Sequence, residues 1–486
     1  MKRLSLFLFA IVMTIGAAIA QQAPAPQTPT SFTLDDCIRY AMENTIAVKN
    51  AHVDEQIAKA KVKETTGIGL PQIDGSVGVT HNNKLPRFFA TYATAKGFNP
   101  NIDLGLPDDA VVASPNFFQL PSSGNAGLTV NQLLFSTTYL VGLKAADTYK
   151  QLAVRAAEQT EISVIENVTK AYYAVLINNE RIGLFDNNIA RVDSLLRTTS
   201  AMNANGFSEA IDVDRIRVTL NNLKSERLIF LNQQSLSIGL LKFQMNYPIE
   251  KEIIIKGSLS DLKVDENLFT EYQTGWDYKN RIEYKMLETQ RQLRELDVKN
   301  YLSRSHPSLV GFWNGGYSTQ SPTVGGVFKT NTAISDNGLV GPDKWYPYST
   351  FGVSLNVPIF SGLQRTYQTQ QARLELLKVE NQFVSLRESI DLSIQQNTLM
   401  YKNALETFRS QRENMELADR VAKITKIKYE QGVGSNIEVV DAENSLRQAQ
   451  VNYYNALFDA IVSKTDLDIA YAKVDPTKYQ SQTTTK

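Results

Sequence analysis

Residues 127–136, GLTVNQLLFS, and residues 352–361, GVSLNVPIFS, carry one pattern twice at an offset of 225 residues. Downstream, GFSEAIDV at 206–213 is followed by GVGSNIEV at 432–439, at an offset of 226. Because the order and the spacing of these segments are both kept, the chain contains an internal duplication. Each half is predicted to form a helix, a strand, a loop, a strand, a long helix, a turn with glycine and a final helix.

The segments predicted as strands have side chains that alternate in polarity. PQIDG at 71–75 matches PSLVG at 307–311 at an offset of 236, which places a strand start in each half. Apolar residues alternate with polar or small ones in the first and last strands, at Ile73, Val77, Val79, Phe351, Val353, Leu355 and Val357. A period of two gives a strand one apolar and one polar face. This pattern fits a sheet with lipid outside and water inside.

Only four strands are predicted per chain, whereas the smallest outer-membrane barrels have about eight. The chain must therefore combine its strands with those of other copies, and three copies would give a twelve-stranded barrel. Four aromatic residues near the predicted strand ends are interpreted as interfacial anchors, with ordinary packing as the alternative: Trp313, Trp345, Tyr346 and Tyr348. The predicted fold class is mixed and mostly α: a duplicated, long-helix coiled coil, plus four β-strands per chain in a trimeric outer-membrane β-barrel.

Two long segments lack proline, and the second also lacks glycine. No proline occurs between Pro121 and Pro248, and residues 363–431 contain neither glycine nor proline. An internal proline would cost a helix about 3 kcal/mol and a glycine about 1 kcal/mol, so uninterrupted helix is predicted for the second segment and for residues 139–205 within the first. At about 1.5 Å per residue, the second would be roughly 100 Å long. On periodicity alone, a plain coiled-coil spacer is the more common explanation.

Composition excludes several functional classes. The 486 residues include 50 basic and 50 acidic side chains, so nothing in the net charge favours a nucleic-acid partner. One cysteine, Cys37, excludes a disulfide framework, and the three histidines, His52, His81 and His306, are scattered. No nucleophile–base pairing, metal-ligand spacing or phosphate loop is recognisable. Catalytic, cofactor and metal sites are therefore not expected.

The chain begins with the pattern of an export signal. Residues 1–20 combine a basic start, an apolar run and a small-residue cleavage site, and are predicted to be a signal peptide followed by a linker at 21–33. Beyond them no apolar stretch reaches about 18 residues, which argues against a membrane-spanning helix. The repeats then set the predicted boundaries: a first repeat at 34–245, a connecting strand-containing belt at 246–275, a second repeat at 276–472 and a polar tail at 473–486. Residues 82–123 and 321–346 are predicted to be long loops.

This duplicated plan resembles the TolC-like outer-membrane efflux protein family. The resemblance covers roughly residues 34–471 and rests on NQLLFS at 131–136, NVPIFS at 356–361, the junctions Leu70-Pro71 and His306-Pro307, and YEQGVGSNIEVVDA at 429–442. The sequence departs from the family where Asn44-Thr45 and Asn280-Arg281 replace the usual Asn-Pro. A helix can begin there without proline, so the plan is not disturbed.

The resemblance implies a function and a set of partners. The protein would be a homotrimer in the outer membrane, with a helical tunnel in the periplasm and the barrel in contact with outer-membrane lipid. It would be a passive exit duct of a tripartite efflux or secretion system, which receives substrates from an inner-membrane pump through a periplasmic adaptor protein. The turns at 204–211 and 431–436 would form the closed tip, with adaptor docking at Gly206, Phe207, Gly432, Val433 and Gly434.

The resemblance also implies two residue pairs at the gate. Glu438 and Asp441 match the acidic constriction rings of the family, and their i, i+3 spacing places both on one helical face. Acidic residues at a helix N-terminus are also favoured by the helix dipole, which is the alternative explanation. Tyr429 and Asp212 match a hydrogen-bonded latch that would hold the tip closed, with coiled-coil packing as the alternative for Tyr429. Gly434 replaces an arginine that adds further links in the best-studied pattern.

Two rival functions remain to be weighed against a duct. A periplasmic coiled-coil adaptor or structural spacer would account for the long helices but leaves the alternating strands and the duplicated junctions unexplained. An exported helical enzyme would need a catalytic constellation that the sequence lacks. The duct is therefore the preferred hypothesis.

Overall fold

In a computed structural model of the chain, the described residues are 30–101, 103–114, 116, 118–257, 259, 272, 276–329 and 345–479. The predicted signal peptide, most of the linker, most of the second half of the connecting belt and the tail from residue 480 onward lie outside these residues. Contacts divide the chain into two units. Unit one contains residues 1–53, 155–285 and 385–486, and unit two contains residues 54–154 and 286–384.

The described helices and strands follow the predicted order. The helices are α1 Leu34–Asn44, α2 Ile46–Gly67, α3 Tyr92–Phe98, α4 Thr137–Ala204, α5 Ala210–Met245, α6 Ile282–Ser303, α7 Val324–Val327, α8 Gln364–Glu430 and α9 Asn436–Ala470. The strands are β1 Thr30–Phe32, β2 Gln72–His81, β3 Phe88–Thr91, β4 Val111–Ser114, β5 Ser122–Ser136, β6 Ile253–Ile255, β7 Ser308–Ser321 and β8 Tyr346–Asn356. The mostly helical, duplicated plan is thereby confirmed.

Unit two is built on an antiparallel sheet in the order β2-β5-β7-β8. The register places an apolar row on one face of the sheet, formed by Ile73, Val130, Trp313 and Phe351. The next row, on the opposite face, is polar and consists of Asp74, Thr129, Asn314 and Thr350. Paired residues in neighbouring strands share a face, so the predicted alternation becomes one apolar and one polar surface.

The segment between β2 and β5 is more ordered than predicted. The sequence predicts a loop over 82–123. The structure has the hairpin of β3 and β4 and the helix α3 in this range, and β5 already begins at its end. The side chain of Tyr92 is fully buried, and its hydroxyl accepts a hydrogen bond of 2.5 Å from the Leu104 amide and donates one of 3.2 Å to Asp103. A buried aromatic ring with a satisfied hydroxyl supplies the small core that a loop lacks.

The long helices match the prediction in length. Helix α4 has 68 residues and α8 has 67, which at about 1.5 Å per residue corresponds to roughly 100 Å each. No helix within the described ranges is both long enough and apolar enough to cross a lipid bilayer. Helices α2 and α6, which occupy equivalent positions in the two halves, each begin after a short break in the helix, at Thr45 and at Arg281.

Unit one has its main apolar core where α1, α4 and α5 pack together. Cys37, Val168, Val175 and Leu241 are fully buried there, and β1 pairs in parallel with β6 beside them. Burial raises the pKa of the Cys37 thiol to about 12. A thiol that stays protonated is a poor nucleophile, so Cys37 serves as a small hydrophobic residue of the core.

Candidate functional site

The two long helices of each repeat are joined by the same kind of turn, between α4 and α5 and between α8 and α9. The Phe207 amide donates a hydrogen bond of 2.8 Å to the Met202 carbonyl, and the Val433 amide donates one of 3.0 Å to the Lys428 carbonyl. This six-to-one bond closes the C-terminus of each long helix, α4 and α8. It requires a left-handed residue just before the bonded amide, and Gly206 and Gly432 provide it with φ of 78° and 77°.

The turns predicted to dock an adaptor are apolar at their outermost point. Phe207 is 79% exposed and Val433 is 78% exposed, so neither contributes to a core within the chain. At Gly434, a Cβ atom would lie 3.1 Å from the backbone nitrogen of Tyr429. This close approach gives a physical reason for glycine where the family pattern has arginine, since a side chain there would press on the end of α8.

Asp212 and Glu438 occupy equivalent positions in the duplication, three residues after the residue that caps each helix. In the second repeat, Ser435 caps α9 and its hydroxyl accepts a 3.3 Å hydrogen bond from the Glu438 amide. In the first, Asp212 accepts a hydrogen bond of 3.1 Å from the Ser208 hydroxyl and one of 3.4 Å from the Glu209 amide. Both carboxylates are thereby placed in the first turn of a helix, where the helix dipole favours them.

Asp212 also joins the two repeats. The side-chain amide of Asn436, which begins α9, donates to the Oδ1 atom and to the carbonyl of Asp212, both at 3.0 Å. Asn436 is only 5% exposed. The amide hydrogen bond, followed by that from Ser208, holds the pKa of the Asp212 carboxyl below its usual range. The first-repeat carboxylate is therefore ionised and bonded to the second repeat at neutral pH.

Tyr429 makes a second bond between the repeats, but not to the predicted partner. Its hydroxyl lies 3.0 Å from Oγ1 of Thr199 on α4, and both side chains are buried. A direct Tyr429–Asp212 bond is not formed within the described chain, which corrects the predicted contact. The ring of Tyr429 packs with Ile216 and Val439, and this packing directs the hydroxyl toward α4 instead of Asp212.

Sequence reasoning did not identify Asn436 or Thr199. One signal was present for Asn436, because the residue at the equivalent position of the first repeat is Ala210. A polar residue that replaces alanine in only one copy of a duplication indicates a contact that the other copy does not make. Thr199 offered no such signal, since it lies within a long helix that contains several threonines.

Glu438 and Asp441 lie on an exposed face of α9. Val439, which follows Glu438, and Ala442, which follows Asp441, are buried on the other side of the helix. Neither carboxylate has an ion-pair partner within the described part of the chain. The same part contains no group of three or more His, Cys, Asp or Glu side chains placed to hold a metal ion.

The family model for "Outer membrane efflux protein" matches residues 37–237 and 315–470, which together are more than half of the chain. The chain is 21% identical over 343 residues to the outer membrane protein TolC of Vibrio cholerae, a match that covers 71% of this chain and 75% of that protein.

Two outer-membrane proteins are among the solved structures that have the same fold. The outer membrane protein VceC of Vibrio cholerae superposes with a TM-score of 0.64 at 13% identity, covering 90% of this chain and 96% of VceC. The open state of the MtrE outer membrane channel of Neisseria gonorrhoeae superposes with a TM-score of 0.66 at 16% identity, covering 90% of this chain and 88% of MtrE. At such identities the likeness is one of fold.

Proposed function

The chain belongs to the outer membrane efflux protein family, and from that premise we propose that three copies form the exit duct of a tripartite efflux or secretion system. The family is one of outer-membrane channels and not of enzymes. In the proposed assembly each copy supplies four strands to a twelve-stranded barrel in the outer membrane. The long helices form the tunnel in the periplasm, and an inner-membrane pump supplies the driving force through a periplasmic adaptor.

The observation that carries the proposal is the presence of two features in one chain. The sheet has one apolar and one polar face, and within the described residues its outer strands, β2 and β8, each pair on one side only. The same chain contains helices of 67 and 68 residues. An unpaired strand edge is a site for strand addition, so neighbouring copies can close the sheet. A spacer made of helices alone would have no use for such a sheet.

The two turns support the proposed adaptor contact. Phe207 and Val433 present apolar side chains at the ends of both helix pairs, with glycines beside them that leave the backbone accessible. Exposed apolar residues at a helix end are typical of a surface that another protein covers. In a trimer, these turns would be repeated three times and would offer six equivalent contacts to an adaptor ring.

The proposal is tested by reconstituting the purified, detergent-extracted protein in a planar bilayer. We expect single-channel events with a small conductance, because the tip is closed, and a preference for cations. The absence of any current, with the protein recovered in the soluble fraction after export, would contradict the duct and favour the periplasmic spacer.

The acidic pair on α9 leads to a prediction for ion selectivity. Threefold symmetry would place Glu438 and Asp441 as two rings of three carboxylates around a narrow lumen, and such rings favour cations. Replacing both, as Glu438→Ala with Asp441→Ala, is expected to shift the reversal potential in a KCl gradient toward that of an unselective pore. Asp214→Ala, which removes an exposed acidic residue of α5 that pairs with Arg217, serves as the control. Equal reversal potentials for the double variant and the wild type would exclude the constriction role.

A further inference from the structure

Helix α9 presents a polar face to the helices of the first repeat. Four of its side chains lie within about 60° of one another around the helix axis. Each is hydrogen-bonded to α4 or α5: Asn436 to Asp212, Glu443 to Arg191, Arg447 to Glu226 and Gln450 to Asn188. On a neighbouring face, Ala442 and Leu446 pack against Ala422 of α8 in the same repeat. Polar bonds thus recur along the face of α9 that meets the first repeat, beside apolar residues such as Val439, which clusters with Ile216 of α5.

The centre of this face is a buried network. Nη2 of Arg191 donates to Oε2 of Glu443 at 3.0 Å and to Oδ1 of Asn188 at 2.6 Å. Nδ2 of Asn188 in turn donates to Oε1 of Gln450 at 2.7 Å. Glu443, Asn188 and Gln450 are 7%, 3% and 8% exposed. Because a charge or amide removed from water must keep its partners, these bonds fix the side of α9 that faces α4.

A second ion pair supports the same orientation from α5. Nη1 of Arg447 lies 2.7 and 2.8 Å from the two carboxylate oxygens of Glu226. Arg447 lies one helical turn beyond Glu443. Helix α9 is therefore bonded to α4 through Glu443 and to α5 through Arg447. A helix held on both neighbouring helices cannot rotate about its axis without breaking these bonds.

The orientation of α9 determines where its free carboxylates point. Glu438 and Asp441 lie about 140° and 200° around the helix from Glu443, which places them on the opposite side. We propose that the network of Glu443, Arg191, Asn188 and Gln450 is a positioning site of the channel. By holding one face of α9 on the first repeat, it directs Glu438 and Asp441 into the lumen. The inference rests on the proposed function, because it needs a lumen lined by these carboxylates.

The test compares ion pairs that join different helices. Glu443→Ala leaves Glu438 and Asp441 in place but removes the bond to Arg191, and is expected to cause a loss of cation selectivity, measured as reversal potential. The matched control is Asp186→Ala, which breaks the ion pair with Arg227 between α4 and α5 and does not touch α9. The control is expected to retain the selectivity of the wild type. Thermal unfolding of all variants is recorded, because a purely structural role would affect stability and not selectivity.

Two further variants keep the test decisive. Glu443→Gln retains the size of the side chain and a hydrogen-bond acceptor for Arg191, and is expected to restore much of the selectivity. Gln450→Ala removes only the last bond of the network and is expected to cause a partial loss of cation selectivity. This variant tests the inference even if Glu443→Ala does not fold. The inference would be overturned, and the proposed duct left standing, if Gln450→Ala and Glu443→Ala each kept wild-type selectivity. The same would follow if Asp186→Ala lost as much selectivity as Glu443→Ala. No current from the wild type would overturn the proposed duct with it.

Discussion

Replacing Gly316 by alanine is expected to destabilise the four-stranded sheet strongly and to lower the amount of folded channel in the outer membrane. Gly316 lies in β7, where it pairs with Gly127 of β5 and with Tyr348 of β8. A Cβ atom there would lie 2.3 Å from the carbonyl oxygen of Ala126 and 2.5 Å from the Cα atom of Gly127. These are backbone atoms of a neighbouring strand, so no side-chain rotation relieves the contact.

The size of this effect follows from the cost of overpacking. Extra atoms in a well-packed region cost about 1–3 kcal/mol, and more where backbone must move. In a sheet the backbone moves only by separating β5 from β7, so about 3 kcal/mol or more is expected. The measurement is the midpoint of thermal unfolding of the purified protein, together with the amount recovered from outer-membrane fractions.

Gly142→Ala is the matched control for Gly316→Ala. Gly142 lies in α4, and a Cβ atom there has no atom within 4 Å apart from its chain neighbours and the nearby backbone of α4 itself. Alanine is favoured over glycine in a helix by about 1 kcal/mol, so this variant should be slightly more stable than the wild type. The same chemical change is thus expected to have opposite signs at the two positions. Unchanged unfolding of Gly316→Ala would show that the sheet is more loosely paired than the register indicates.

The sheet and the long helices could be predicted because their signals are local. Alternation at Ile73, Val77 and Val79 depends only on neighbours two residues away, and the absence of Gly and Pro over 363–431 is a property of one segment. The duplication then placed each element in order. Such features need no knowledge of which distant residues meet, so they are readable from one sequence.

The contacts that decide the candidate site are of the opposite kind. Asn436 and Asp212 are 224 residues apart, and Tyr429 and Thr199 are 230 apart. The resemblance identified Tyr429 and Asp212 as residues of the turns, but which atoms meet depends on how the helix pairs pack. The ordered segment between β2 and β5 was missed for a similar reason, since the buried Tyr92 acts through Asp103 and Leu104 and not through a periodic pattern.

Asp212→Ala combined with Tyr429→Phe is expected to open the tip and to raise the leak conductance strongly. The first change removes the carboxylate that accepts from the Asn436 amide, which keeps its bond to the carbonyl of residue 212, and the second removes the hydroxyl bonded to Thr199. A lost hydrogen bond to a charged group costs about 1.5–3 kcal/mol, and a lost neutral hydrogen bond about 1 kcal/mol. Both bonds join the first repeat to the second, so they stabilise the state in which the helix pairs lie together.

In the proposed trimer, threefold symmetry would multiply the effect of these two bonds. If each copy of the double variant loses about 2 kcal/mol, three copies lose about 6 kcal/mol, or a factor of about 10⁴ in the ratio of closed to open channels. The measurement is single-channel conductance in a planar bilayer. Asp214→Ala is the control, because within the described residues Asp214 pairs only with Arg217, on the exposed side of α5. A leak in that variant as large as in the double variant would point to general loosening of α5.

The pH dependence of the leak separates the latch from a misfolded tip. The Asn436 amide holds the pKa of the Asp212 carboxyl below its ordinary value of 3.8, because it bonds the ionised form. The folded-state pKa is the lower one, so this stabilisation is present above pH 3.8 and is lost as the pH falls through the folded-state pKa. The wild-type leak should therefore stay low from neutral pH to the ordinary pKa and rise below it. In Asp212→Ala this acid step should disappear, since the titrating group is gone. A step that persists in Asp212→Ala would assign acid opening to other carboxylates and remove Asp212 from the latch.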